Sequence, residues 1–206
     1  MKLLNKLILL FAILTTALAV SAQTPTEIMR KVSSIADGTS GVSGNFSLRG
    51  SGGVIKGSFK FDGTRSVIDV PSTATSWFDG KNLWSLNKNT KEITVTLPDQ
   101  SELAEANPLL FLKNYSSNFN VSFSKRKVAG KHIIMLRPKK AMQNVKWVEA
   151  VIGSSSYLPE YITVCDTQGQ RSLMSLSHIK TNCKYKAADF SFPQNRYKGY
   201  EIIDLR

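Results

Sequence analysis

Residues 77–115, WFDGKNLWSLNKNTKEITVTLPDQSELAEANPLLFLKNY, decide how the rest of the chain is read. Asp79-Gly80 stands between two apolar-aromatic runs, Trp77-Phe78 and Leu83-Trp84, and a two-stranded ribbon reverses where a residue accepts positive φ, so the dipeptide predicts a hairpin. A second turn at Lys88-Asn89-Thr90 precedes Ile93, Val95 and Leu97, which alternate with Thr as a strand buried on one face requires. Pro98 ends the sheet pattern. Ser101-Glu102 and Asn107-Pro108 then mark helix starts, because Ser and Asn cap free N–H groups and Pro is accepted at the first helical position. Leu109, Leu110, Phe111 and Leu112 follow in a row, and at about 100° per residue they sweep most of the way round a helix. A helix over 108–115 is therefore either buried on every side or offers one face to something that comes and goes.

Outward from this stretch the chain is strand after strand. Val42, Phe46 and Leu48 alternate with small polar residues; Ile55, Gly57, Phe59 and Phe61 share one parity of the next strand; Asp62-Gly63 turns into Val67–Val70. Beyond the helix come Phe119–Phe123, His132–Leu136, Asn144–Ile152, Tyr157–Cys165 and Gln170–Thr181, with turns at Ala129-Gly130, at 153–156 and at Gln168-Gly169. Short strands at this spacing predict a mainly β fold with a few helices, an antiparallel barrel or strongly curved sheet. The many inward aromatics, Trp77, Trp84 and Trp147 among them, exceed what a thin core holds, which favours a larger curved sheet with covering elements; a plain packed core is the alternative. One amphipathic helix precedes the strands: Thr24-Pro25-Thr26-Glu27 opens it, and Ile28, Met29, Val32 and Ile35 make one apolar face.

The amino end reads as an export signal. Lys2 and Lys6 precede an apolar run from Leu7 to Val20, and Val20-Ser21-Ala22 supplies small residues before a break. Cleavage after about Ala22 would leave residues 23–206 as a single domain, with the formal charge of +12 reduced by the two leader lysines. Outside the cytoplasm such a charge points to anionic lipid surfaces and acidic proteins rather than to nucleic acid. Much of it is local: no acid falls between Glu105 and Glu149, whereas nine lysines and arginines do. That stretch is a solubilising surface or a docking face. Cys165 and Cys183 would oxidise there if they met, but their strand positions make a bridge difficult.

Nothing supports catalysis or a bound cofactor. His132 and His178 have no acid at metal-ligand spacing, no serine sits in a nucleophile-elbow pattern, and Gly50-Ser51-Gly52-Gly53 lacks the residues of a phosphate loop. Function must come from apolar burial, which stabilises a bound acyl chain by about 0.8 kcal/mol per methylene.

The order of elements resembles the LolA family, periplasmic carriers of lipoproteins between the two membranes of Gram-negative bacteria. The resemblance rests on the aromatic strand before Asp79-Gly80-Lys81, on Leu83-Trp84, on the helix at Asn107-Pro108-Leu109-Leu110, and on Phe190-Ser191-Phe192-Pro193 with the Ile202-Ile203-Asp204 end. It implies an incomplete, unclosed β-barrel with a helical lid formed by residues 26–36 and 108–115. It also implies an acyl-binding surface drawn from Phe46, Leu48, Phe59, Phe61, Trp77, Trp84, Ile93, Val95, Leu109, Leu110, Phe111, Leu112, Met135 and Trp147. In the family a basic strand residue latches the lid, and Arg65 is the nearest counterpart here, although Asp62-Gly63 departs from the family's turn and an ordinary surface arginine is the alternative. The implied partners of a monomeric carrier are acylated lipoproteins, an inner-membrane lipoprotein-release transporter, and an outer-membrane acceptor protein or lipid surface. A related envelope module that senses lipoproteins or lipid by contacting another protein is the other reading.

Overall fold

Alternating apolar residues joined by tight turns build one sheet. The computed structural model describes residues 23–37, 41–63, 65–98, 115–142 and 144–206. In chain order these form α1 (Pro25–Asp37), β1 (Gly41–Gly50), β2 (Gly53–Asp62), β3 (Arg65–Val70), β4 (Ala74–Phe78), β5 (Leu83–Asn87), β6 (Glu92–Thr96), α2 (Tyr115–Asn118), β7 (Phe119–Phe123), β8 (Lys131–Pro138), β9 (Trp147–Gly153), β10 (Pro159–Cys165), β11 (Arg171–Cys183) and β12 (Glu201–Asp204). Two 3-10 turns, Ala187–Asp189 and Gln194–Tyr197, lie before β12. The strand order is β12-β6-β5-β4-β3-β2-β1-β11-β10-β9-β8-β7. The Asp79-Gly80 hairpin forms as the sequence predicts: Gly80 has φ of 101°, and Asp79 Oδ1 accepts the backbone N–H groups of Lys81 and Asn82 at 2.8 and 2.7 Å.

The strongly curved, incomplete barrel is not what forms. The sheet is open and not strongly curled: β12 and β7 are its outermost strands and do not pair with one another. Nor is it wholly antiparallel, because β12 runs parallel to β6, with Ile202 opposite Ile93. The predicted helix at 108–115, and with it Leu109 to Leu112, lies outside the described residues up to Tyr115, as does the export signal. The other expected lid, α1, lies packed on the sheet: Ile28 and Met29 have no exposed surface and Val32 only 3%.

The expectation of a barrel rests on the number of aromatic side chains that a single interior would have to hold. The sheet solves that problem differently, by burying opposite faces in its two halves. Residues directly opposed across strands share a face. In β7–β11 and β1–β3 the buried face carries Phe46, Phe59, Phe61, Ile134, Val148 and Ile162, and α1 packs there. In β3–β6 the other face is buried. Lys60 pairs with Val67, Val67 with Trp77, Trp77 with Trp84, and Trp84 with Val95, so this row lies on the side away from Phe59 and Phe61. Its cover is the carboxyl-terminal segment, where Phe190 has no exposed surface and Phe192 stacks on Trp84 with ring centres 4.6 Å apart and planes 6° apart. Tyr197 meets Trp77 edge to face at 5.8 Å.

The start of α1 follows its sequence. Glu27 N–H donates to Thr24 Oγ1 at 3.2 Å and Thr24 N–H donates to Glu27 Oε2 at 2.8 Å, a reciprocal cap for two backbone donors that the first helical turn leaves free. Cys165 and Cys183 are both free thiols; Cys165 stands opposite Arg171 and Cys183 opposite Gly41.

Candidate functional site

The helix side of the sheet is an apolar floor. One row crosses seven strands in continuous register: Ile55 opposite Leu48, Leu48 opposite Met174, Met174 opposite Ile162, Ile162 opposite Ala150, Ala150 opposite Ile134, and Ile134 opposite Phe123. Every member is apolar. The centre is closed, with Ile134 and Ala150 at 0% and Ile162 at 1% exposure, whereas the two ends are open, Ile55 at 48% and Phe123 at 51%. Exposed apolar ends on an otherwise filled floor are places where a foreign hydrocarbon gains burial without displacing a core residue.

Tyr157 pins α1 onto this floor. Its hydroxyl accepts Nζ–H of Lys31 at 2.9 Å and Nε2–H of Gln23 at 2.8 Å, and Lys31 Nζ also sits 4.2 Å from the ring centre. The hydrogen bond from Lys31 holds the Tyr157 phenol below its usual range. His132 stacks against the same ring at 6.0 Å. Tyr115 also holds the helix, donating to the carbonyl of Thr26 at 3.2 Å, and burial pushes its phenol up. Sequence reading passes over the role of Tyr157, because its partners are 126 and 134 residues away; the sequence shows only a tyrosine after a serine turn, and its φ of +55° emerges with the structure. Tyr157→Phe removes the acceptor for both donors, so amide exchange in α1 is expected to quicken while β8 and β9 keep their protection, measured by hydrogen–deuterium exchange. Unchanged exchange in α1 would show that its apolar face alone holds it.

The residues expected to bind acyl chains do not form one surface. Phe46, Leu48, Phe59 and Phe61 belong to the floor under α1. Trp77, Trp84, Ile93 and Val95 lie on the opposite face; Trp77, Trp84 and Ile93 pack with Phe190 and Phe192. Met135, opposite Glu149, and Trp147, opposite Cys165, are also on that opposite face, in the other half of the sheet. Arg65 is held by Asp62, donating from Nε to Oδ1 at 3.0 Å, and its guanidinium lies 5.0 Å from the Phe190 ring centre. It therefore sits with the carboxyl-terminal cluster and not beside α1. The long basic stretch is likewise divided: Arg126 pairs with Glu149 at 3.2 Å, Lys131 with Glu160, and Lys139 donates to the carbonyl of Ser116 at 2.7 Å.

Among the described residues no group of three or more His, Cys, Asp or Glu is placed to hold a metal, and no helix is long and apolar enough to cross a membrane. The family model described as outer membrane lipoprotein carrier protein LolA matches residues 15–169. The chain belongs to the LolA family. That family is one of non-catalytic carriers, and a periplasmic location agrees with membership in it. No curated protein matches it in sequence. Among solved structures, a conserved protein from Thermus thermophilus is similar at 11% identity and a TM-score of 0.59, covering 87% of this chain and 98% of that one, which is a likeness of fold. A LolA superfamily protein from Nitrosomonas europaea is similar at 11% identity and a TM-score of 0.46, over 84% and 100% of the two chains. Pseudomonas aeruginosa MucB, solved with MucA, is similar at 12% identity and a TM-score of 0.45, over 82% and 61%.

Proposed function

We propose that this LolA-family chain is an envelope interaction module that binds the acyl chains of lipoproteins, or of lipid, on the helix-side floor at its two open ends. The observation that supports it is the register-matched apolar row from Ile55 to Phe123, filled at its centre and bare at both ends. A filled centre suits recognition of hydrocarbon at the surface better than storage of a whole diacyl group in a ready-made cavity. Each methylene covered stabilises the complex by about 0.8 kcal/mol, so a few on each end suffice for recognition and still allow release.

Transfer of lipoproteins from the inner to the outer membrane is the second reading, and the family to which the chain belongs favours it. It would require α1 to leave the floor, breaking the Tyr157 contacts and exposing Ile28 and Met29 until acyl chains replaced them. Binding and transfer separate experimentally. Protein extracted natively from the periplasm should carry acyl species detectable by mass spectrometry on either reading, and only a carrier should then move a radiolabelled lipoprotein from inner-membrane vesicles to outer-membrane vesicles. Protein that emerges free of acyl species and takes up no added lipopeptide would end both.

A further inference from the structure

The face of β2, β1 and β11 turned away from α1 carries a second, chemically opposite surface. Three register rows cross it: Lys56–Ser47–Ser175, Ser58–Asn45–Ser177 and Lys60–Ser43–Lys180. Three lysines therefore stand at the corners of a tile of hydroxyl and amide groups. Two adjoining depressions of about 450 and 490 Å³ lie over it and share Asn45 and Ser58. Their walls contain no carboxylate, and among the described residues none of the three lysines is ion-paired. Lys60 Nζ instead faces the rings of Tyr185 and Phe190 at 5.8 and 5.6 Å.

An ordinary solvated strand face would not need the backbone found here. The pairing of β1 with β11 shifts register twice, between Gly41 and Ser43 and again between Ser43 and Asn45. His178 and Asn182 adopt φ of 51° and 60°, a left-handed conformation that is uncommon for residues other than glycine. Each bulge inserts one residue and reverses the alternation. The bulge between Ser43 and Asn45, at His178, is what puts Lys180 on the same face as Ser177; in regular β-structure residues three apart point to opposite faces. His178 borders the same depression.

From this we infer that the tile is an anion site for a phosphate-bearing ligand, with Lys56, Lys60 and Lys180 supplying charge and Ser58, Ser177 and Asn45 supplying neutral donors. Unpaired ammonium groups around convergent hydroxyls and an amide match the several oxygens of a phosphate, and charge-assisted hydrogen bonds of this kind are about twice as strong as neutral ones. The phosphate comes either from a lipid headgroup or from a free phosphate. The site is on the face opposite the acyl floor and is independent of the function proposed for that floor.

The test uses the mature full-length protein with two probes, inorganic pyrophosphate measured by calorimetry and phosphatidylglycerol-containing vesicles measured by co-sedimentation against pure phosphatidylcholine. Binding of either probe is expected, weakening as salt is raised, and Lys56→Ala with Lys180→Ala should weaken it at least tenfold. Lys140→Ala with Lys146→Ala, an equal loss of charge elsewhere, should change it by less than twofold. Binding of pyrophosphate identifies a free phosphate as sufficient, and binding of vesicles alone identifies a headgroup at a surface. Lys60→Gln, checked for native circular dichroism because Lys60 also packs on Phe190, should weaken the same probe. Failure of both probes to bind, or equal weakening by the two double variants, would overturn the site. Loss of acyl binding leaves this result untouched, because the side chains assigned to the two sites lie on opposite faces of the sheet.

Discussion

Replacing Phe190 with alanine is expected to lower stability by about 3–5 kcal/mol, since it is the largest fully buried side chain among the described residues. Phe190 has no exposed surface and fills the space between the carboxyl-terminal segment and the Val67, Trp77, Leu86 and Ile93 side chains. Its ring also lies nearly perpendicular to that of Tyr185, with centres 5.4 Å apart, and Arg65 and Lys60 lie over it at 5.0 and 5.6 Å. The truncation leaves a cavity, removes the ring beneath two cations and loosens the segment that leads to β12. Urea denaturation should show a lower midpoint with little change in slope. Because Phe190 and α1 lie on opposite faces, the folded variant should bind acyl ligands as the native protein does. A loss below about 1 kcal/mol would mean that the carboxyl-terminal segment is not a second core.

Gly57→Val is expected to cost about 3 kcal/mol and, unlike the loss at Phe190, to disturb the acyl floor. A β-carbon at Gly57 would meet the backbone carbonyl of Asp69 and would lie 2.6 Å from the nearest atom of the Phe46 ring. The carbonyl cannot step aside, since Asp69 is in the β3 ladder opposite Ser58 and Thr75, and its carboxylate is tied to Thr75 at 2.6 Å and Lys88 at 2.8 Å. Phe46 would be driven off Gly57 toward Leu48. Thermal unfolding should fall by several degrees, and acyl affinity should fall with it. A variant as stable as the native protein would show that β2 and β3 can separate at no cost.

These two residues also show what can be read from sequence. Gly57 is visible as a strand glycine on the parity of Phe59 and Phe61, and its role as a seat for Phe46 follows once β1 and β2 are paired. The hairpins at Asp62-Gly63 and Asp79-Gly80, the Thr24–Glu27 cap and the apolar face of α1 are equally local, and local signals survive into the structure. Phe190 is different. Alternation along β3–β6 says that one face is buried and is silent about which, because either face of an alternating strand satisfies the same pattern. Only the arrival of residues 185–200 from the far end of the chain decides it. The same gap produced the expected barrel and merged two sets of aromatic residues into one imagined interior. The bulges at His178 and Asn182 were hidden for another reason: neither position holds the glycine that usually marks positive φ.

The most direct test of the acyl floor compares two neighbours on β2. Ile55 and Val54 are adjacent and nearly equally exposed, at 48% and 51%, yet they point to opposite faces, Ile55 beside Leu48 and Val54 beside Arg49. Calorimetric titration of each aspartate variant with a diacylated lipopeptide in detergent-free buffer isolates the face from the charge. Ile55→Asp should weaken binding at least tenfold while Val54→Asp stays within twofold of the native protein. Equal losses in the two variants, or none in either, would contradict the account.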